Sequence, residues 1–162
     1  MIETSETRKC LVAIRVRGLS DVSREMKETL QILRLNQNCH AVLIDDRPSN
    51  MGMLRKVRNY ATWGEISKEN VALLLRKRGR LVGDKKLTDE HVKEIGYKSV
   101  DDLAEAVYEL EVSYNDLPKV KPVFRLHPPR KGFKRKTKKS YAAGGVTGYS
   151  GDAINNLIKR MI

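Results

Sequence analysis

No acidic residue occurs between Lys119 and Gly151. That stretch reads KVKPVFRLHPPRKGFKRKTKKSYAAGGVTGYSG and holds ten basic residues: Lys119, Lys121, Arg125, Arg130, Lys131, Lys134, Arg135, Lys136, Lys138 and Lys139. The whole chain carries 32 Lys and Arg against 20 Asp and Glu, a net of +12; outside the stretch 22 basic residues face 20 acidic ones. Nearly all the excess charge therefore sits in one segment. A localised block of this kind repels itself until solvent or an anionic partner settles it. Its partner by charge is a polyanion.

Other absences narrow the function. No apolar run is long enough to span a membrane, and the start, MIETSETRKC, has no apolar signal core, so nothing points to export. Cys10 and Cys39 are lone cysteines without C-x-x-C spacing and are expected to be reduced and buried; a disulfide is possible but not required. His40, His91 and His127 are isolated, with no metal-ligand spacing around them. Cys39 and His40 are adjacent, so on a strand they point to opposite faces and make no nucleophile–base pair. Asp45 and Asp46 precede Arg-Pro, where turn and ion-pair duty is the common reason for carboxylates. The glycines of AGGVTGYSG lack the lysine of a Walker phosphate loop and read as a flexible turn before the last helix. No catalytic constellation and no cofactor are expected.

What is present is a short α/β pattern. In Cys10–Arg17, residues Cys10, Val12, Ile14 and Val16 alternate with Leu11, Ala13, Arg15 and Arg17, as in a half-buried strand. Ser20 is the expected cap of a helix with Val22, Met26, Leu30 and Leu33 on one face. Residues 41–44 read as a second strand. Ser49 or Asn50 is expected to cap a second helix carrying Leu54, Val57 and Ala61, closed by Trp63 and Gly64. Residues 65–118 read as a helical insertion of balanced charge, with helix starts at Ser67, Thr88 and Ser99, the last with Asp102 in a capping-box-like arrangement. Residues 122–127 are the expected third strand, stopped by Pro128 and Pro129.

Between Arg130 and Gly151 the only large apolar residues are Phe133, Tyr141, Val146 and Tyr149. They bury too little surface to fold alone, so a long exposed extension is expected, mobile in the free protein. Asp152 then caps a last helix, with Ile154, Leu157, Ile158 and Met161 spaced to dock on the body. The pattern gives one sheet with helices on one face. If those helices cover Val12, Ile14, Phe124 and Leu126, the open face carries Arg15, Arg17, Arg125 and His127 and adjoins the basic extension. Recognition is expected through phosphates and shape, because A-form RNA hides its major groove from side chains. Phe133 and Tyr141 can stack on bases or simply pack.

Two segments carry a family resemblance: RKVRNYATWGE at Arg55–Glu65 and FRLHPPRKGFKRKTKKSYAAGGVTG at Phe124–Gly148. The first strand CLVAIRVRG and the closing NNLIKRMI fit as well. Together they resemble the large-subunit ribosomal protein family called L-thirty in bacteria and archaea and L-seven-e in eukaryotes. The resemblance implies an α+β fold: a small, ferredoxin-like β-α-β-α-β core with a three-stranded antiparallel sheet, first strand central. To this core it adds a helical insertion and a basic C-terminal extension. It assigns residues 1–64 and 119–129 to the core, 65–118 to the insertion, 130–151 to the basic RNA-binding segment and 152–162 to the final helix. The insertion and the absence of a long basic N-terminal extension look like the archaeal branch.

The function the resemblance implies is that of a non-enzymatic constituent of the large ribosomal subunit in the cytoplasm. Its partners would be large-subunit rRNA, 5S rRNA nearby and neighbouring ribosomal proteins, with no membrane. The RNA-binding residues expected are Arg15, Arg17, Arg125, His127, Arg130, Lys131, Lys134, Arg135, Lys136, Lys138 and Lys139. Two other readings stand beside this one. The first is an assembly factor or general RNA-binding module not retained in mature subunits; the second is an enzyme on RNA or acyl phosphates, which would need a reactive constellation.

Overall fold

A computed structural model describes residues 8–18, 20 and 22–162. The start read above for an export signal lies, through Thr7, outside them. The chain runs β1 (Cys10–Arg15), α1 (Arg24–Ile32), β2 (His40–Asp45), α2 (Pro48–Lys56), β3 (Ala61–Glu65), α3 (Lys68–Arg78), α4 (Asp89–Ile95), α5 (Val100–Tyr108), β4 (Val123–Arg125), β5 (Lys136–Ser140), β6 (Gly145–Tyr149) and α6 (Ile154–Met161). The fold is α+β, with one mixed sheet in the order β4-β2-β1-β3-β6-β5. Strand β1 pairs antiparallel with both β2 and β3, so the β-α-β-α-β unit with a central first strand is present. The sheet is larger than three strands: β4 joins antiparallel at one side, and β6 and then β5 join parallel at the other.

Strand β1 is buried on both faces, not half-buried as its alternation suggests. Cys10, Val12 and Ile14 belong to a core that also holds Val71, Leu74 and Leu75 of α3, Leu103 and Val107 of α5, and Ile154, Leu157 and Ile158 of α6. Leu11 and Ala13 belong to a second core with Leu30 of α1, Leu33, Leu35, Leu54 of α2 and Val57. Helices therefore cover both faces of the sheet, and the open cationic face expected from the sequence does not exist. The helices found between residues 65 and 118 supply the second cover, and their apolar residues are continuous with those of β1.

Helix α1 starts at Arg24, capped by Ser23, whose side chain accepts from the Met26 amide; Ser20 is too early by three residues. The caps at Ser67 and Ser99 form as expected, accepting from the Asn70 and Asp102 amides. Helix α2 opens on Pro48, where a missing N–H costs nothing, and ends at Lys56. Its expected continuation through Ala61 is instead strand β3. The free edge of β1 offers a ladder of partners from Leu11 to Arg15, and this overrides the helical spacing of Leu54, Val57 and Ala61. The strand expected at residues 122–127 is the fourth in the chain, three residues long, with Phe124 and Leu126 turned into the core as expected. Helix α6 docks with its expected apolar residues, but Asp152 lies in a short 3-10 turn before it and does not cap it.

The segment expected to be a wholly exposed extension is folded over its second half. Val146, Thr147 and Gly148 are buried; Gly145 and Gly148 are strand residues, while Gly144 and Gly151 lie in turns on either side of β6. A Cβ on Gly145 would fall 1.7 Å from the Lys139 carbonyl oxygen, and one on Gly64 would fall 2.1 Å from the Gly151 carbonyl oxygen. Glycine is what lets β6 lie this close to β5 and the turn at Gly151 this close to β3. Ile14 is fully buried at the centre of the sheet. Ile14→Ala is expected to lower stability by roughly 2–5 kcal/mol, read from urea-induced unfolding.

Candidate nucleic-acid interface

The four expected contacts on the sheet do not form one surface. Arg15 is 2% exposed. Its side chain lies on the face covered by α1 and α2, where Nε donates to the Arg17 carbonyl and a terminal nitrogen to the Leu35 carbonyl, both at 3.0 Å. Burial lowers its pKa. Arg15 is thus a structural tie between β1 and the chain leaving α1, and it is corrected from an RNA contact to a core residue. Arg17 is half-buried, 5.4 Å over the ring of Tyr60.

Arg125 is exposed, but it shares Asp84 with Lys121, at 3.5 Å for the arginine. That carboxyl is held below its usual range by its hydrogen bond to Lys121 and by the charge of Arg125. His40 faces Arg125 across the β2–β4 ladder. Burial first, then the charges of Arg125 and Arg15, depress its pKa, so it is the neutral member of that row. His127 has both ring nitrogens against backbone carbonyls, Nδ1 at Pro128 and Nε2 at Ile162. All four residues are thereby engaged within the protein.

The cations after Pro129 are placed differently. The Leu126 amide donates to the Cys39 carbonyl, and the His127 and Arg130 amides donate to the carbonyls of Met161 and Arg160 at the end of α6. A terminal nitrogen of Arg160 donates back to the Gly132 carbonyl at 2.8 Å. The last carbonyls of a helix lack intrahelical donors, so this exchange satisfies both segments. It fixes where the basic run leaves the body.

The run then forms β5, with the sequence KTKKS, at the outer side of the sheet. Thr147 Oγ1 donates to the Lys139 carbonyl at 3.0 Å and helps hold β5 to β6. Strand β6 is held to β3 by Thr62 Oγ1, which is within bonding distance of the Gly148 carbonyl and Ser150 Oγ, and by the Ser150 amide donating to the Trp63 carbonyl.

Arg130, Lys131, Lys134, Arg135, Lys136, Lys138 and Lys139 are all exposed. Among the described residues none of the seven is ion-paired with a carboxylate. Lys159, exposed on α6, and Arg160 lie alongside, two cations that the sequence reading misses. The sign that marks them is their position in the last turn of a helix whose other face is apolar.

Among the described residues the candidate titratable and nucleophilic groups are taken up within the fold. Asp45 is taken up by Arg47, at 2.7 Å, and by Asn50. The thiol of Cys10 is pushed up to about 12, chiefly by burial, and Cys39 is a free, half-buried cysteine. Among the described residues no three His, Cys, Asp or Glu are grouped to hold a metal ion, and no helix is long and apolar enough to cross a membrane.

A doubly covered α+β body with a cationic outer strand, whose lysines have no carboxylate partner among the described residues, is the class that fold and site define. The family described as "Ribosomal protein L30p/L7e" matches residues 11–61. Three archaeal proteins named "Large ribosomal subunit protein uL30" are similar over most of their lengths. That of Archaeoglobus fulgidus is 53% identical over 91% of this chain and 97% of its own. For Methanopyrus kandleri the identity is 50%, over 91% and 100%. For Thermofilum pendens it is 48%, over 93% and 97%. The chain belongs to this ribosomal protein family.

Arg15→Ala removes two bonds from a charged donor to buried carbonyls. It is expected to cost about 1.5–3 kcal/mol or more in thermal or urea unfolding, while the salt dependence of RNA binding by the folded fraction stays unchanged.

Proposed function

We propose that this chain is a structural, non-enzymatic constituent of the large ribosomal subunit in the cytoplasm. It binds large-subunit rRNA through the basic strand and its approach, Arg130 to Lys139, and lies close to 5S rRNA. The observation that carries this reading is the set of seven exposed cations without a carboxylate partner among the described residues. The archaeal relatives' name supports the subunit.

The mechanism is phosphate neutralisation from a positioned strand. Strand β5 is irregular between Lys136 and Ser140, and Lys136 and Lys139 line one hollow with Lys134 and Arg135. Phosphates of RNA segments that approach this strand meet its exposed lysines. Cations held there screen segments that would otherwise repel, and binding releases the counterions condensed on them. The body of the protein sets the position and direction of the strand. Neighbouring ribosomal proteins have the remaining surface, including the insertion, to dock on.

Replacing Lys134, Arg135, Lys136, Lys138 and Lys139 with Ala should weaken binding to large-subunit rRNA. The slope of log affinity against log salt should flatten by about 0.7–0.9 for each phosphate that is no longer neutralised. Filter binding across a salt series reads this, and unfolding curves should move little. If the variant no longer folds, the division between body and strand fails.

Sedimentation of a lysate from the source cells tests the setting. The protein should travel with large subunits in near-equal amount, survive a moderate-salt wash, and crosslink from its basic strand to large-subunit rRNA with 5S rRNA in reach. Recovery only with precursor particles, or loss at low salt, would make it an assembly factor.

A further inference from the structure

One cavity is not explained by phosphate neutralisation. It lies where the basic run passes α6 and has a volume of about 200 Å³. Its sides are Phe133, Arg135 and Tyr141, and its floor is Val146, Ile154 and Leu157. The guanidinium of Arg135 lies 4.1 Å from the centre of the Tyr141 ring. A terminal nitrogen of the same group donates to the Tyr141 carbonyl at 2.7 Å. A flexible surface arginine is thereby held as a flat cationic plate. Phe133 is half-buried and packs against the large core, so its ring is held as well. The structure thus places two held planar groups around an apolar floor, in the middle of a segment with no acidic residue.

The geometry points to a base-stacking site: this cavity receives one unstacked nucleobase of the bound RNA. The inference rests on the RNA reading above and deepens it. Charge selects the class of ligand. The cavity is flanked by Lys134, Arg135 and Arg160, and Lys136 and Lys139 lie on a second hollow that shares Phe133, Lys134 and Arg135 with it. A polyanion carrying flat apolar groups matches both features, because its phosphates meet the lysines and a base meets the plates. An acidic peptide would satisfy only the first.

The polar atoms in the cavity also say how the base is read. Thr62 Oγ1 is engaged with the Gly148 carbonyl and Ser150 Oγ, and Ser150 Oγ reaches the Trp63 carbonyl. Arg160 is tied to Gly132. The hydroxyls of Thr62 and Ser150 are thus spent on holding β6 to β3, while the Tyr141 hydroxyl and the Asn156 amide also line the cavity within reach of a base edge. Stacking on the face of the base supplies the affinity, and every base has a face. Larger rings are favoured by their greater stacking area.

The test uses the full chain and two probes. One is a single-stranded RNA hexamer of mixed sequence; the other has the same sugar–phosphate chain without bases. At equal salt the native protein should bind the base-bearing hexamer roughly 5- to 100-fold tighter, the range that one stacked base supplies. Tyr141→Leu loses no charge, so its affinity for the baseless chain and the salt slope stay as in the native protein while the preference for bases collapses. Arg135→Lys keeps the charge but loses the plane, and it should lose the preference too; circular dichroism of both variants establishes folding.

Equal native affinity for the two probes, with a steep salt slope, overturns the base site and leaves phosphate binding standing. So does a preference that persists in both variants. If neither probe binds even at low salt, the base site and the RNA reading fall together.

Discussion

The position of the cations on β5 depends on the pairing of β6 with β3. Without it the segment beyond its anchor at α6 is a tether; with it, β5 is the outer strand of a sheet whose other members are locked in two cores. The pairing itself is short, with Thr62 opposite Gly148 and Trp63 opposite Tyr149. Side chains reinforce it: Thr62 and Ser150 bridge the strands, and Asn155 of α6 donates to the Glu65 carbonyl just beyond. Gly64 permits the close approach of the turn that follows β6. A few hydrogen bonds at one edge of β3 thus convert the stability of the body into placement of charge.

The body can bear that load because β1 is buried on both sides. Two separate apolar clusters grip one central strand, and Arg15 ties the open end of that strand to the chain leaving α1. The charges divide along the same line. Within the body many find partners, as with Lys68 and Glu105 or Arg76 and Asp101. Between Arg130 and Lys139 none does among the described residues. A lysine-rich outer strand is also a poor template for another chain's strand, since added copies would bring like charges together. The same side chains that suit the edge to a polyanion keep it from pairing with itself.

The sequence discloses much of this and misleads at definite points. The helices at 68–78, 89–95 and 100–108 are readable because their caps are short polar residues followed by helical apolar spacing. The charge asymmetry is readable because it needs no structure at all. Strand β3 is hidden because Leu54, Val57 and Ala61 match a helix face; only the free edge of β1, distant in sequence, makes Ala61 a strand residue. Strand β6 is hidden because several glycines close together look like a turn, when close backbone approach is the reason for one of them. Arg15 misleads because alternation shows which residues share a face and not whether another layer covers it. The family resemblance supplies the β-α-β-α-β core where local pattern fails, and it leaves open that Arg125 and His127 are engaged inside the protein.

The outer strand has one more consequence, in how the protein responds to ions. Lys136, Lys138 and Lys139 crowd charge onto a strand held mainly by backbone bonds and one threonine hydroxyl. Mobile anions relieve that crowding, so added salt tightens the edge of the free protein. The same salt competes for RNA phosphates and loosens the complex. Ionic strength therefore acts with opposite sign on the order of the strand and on its grip. RNA resolves the conflict, since a bound polyanion supplies the screening that salt would otherwise provide and stabilises the state it selects.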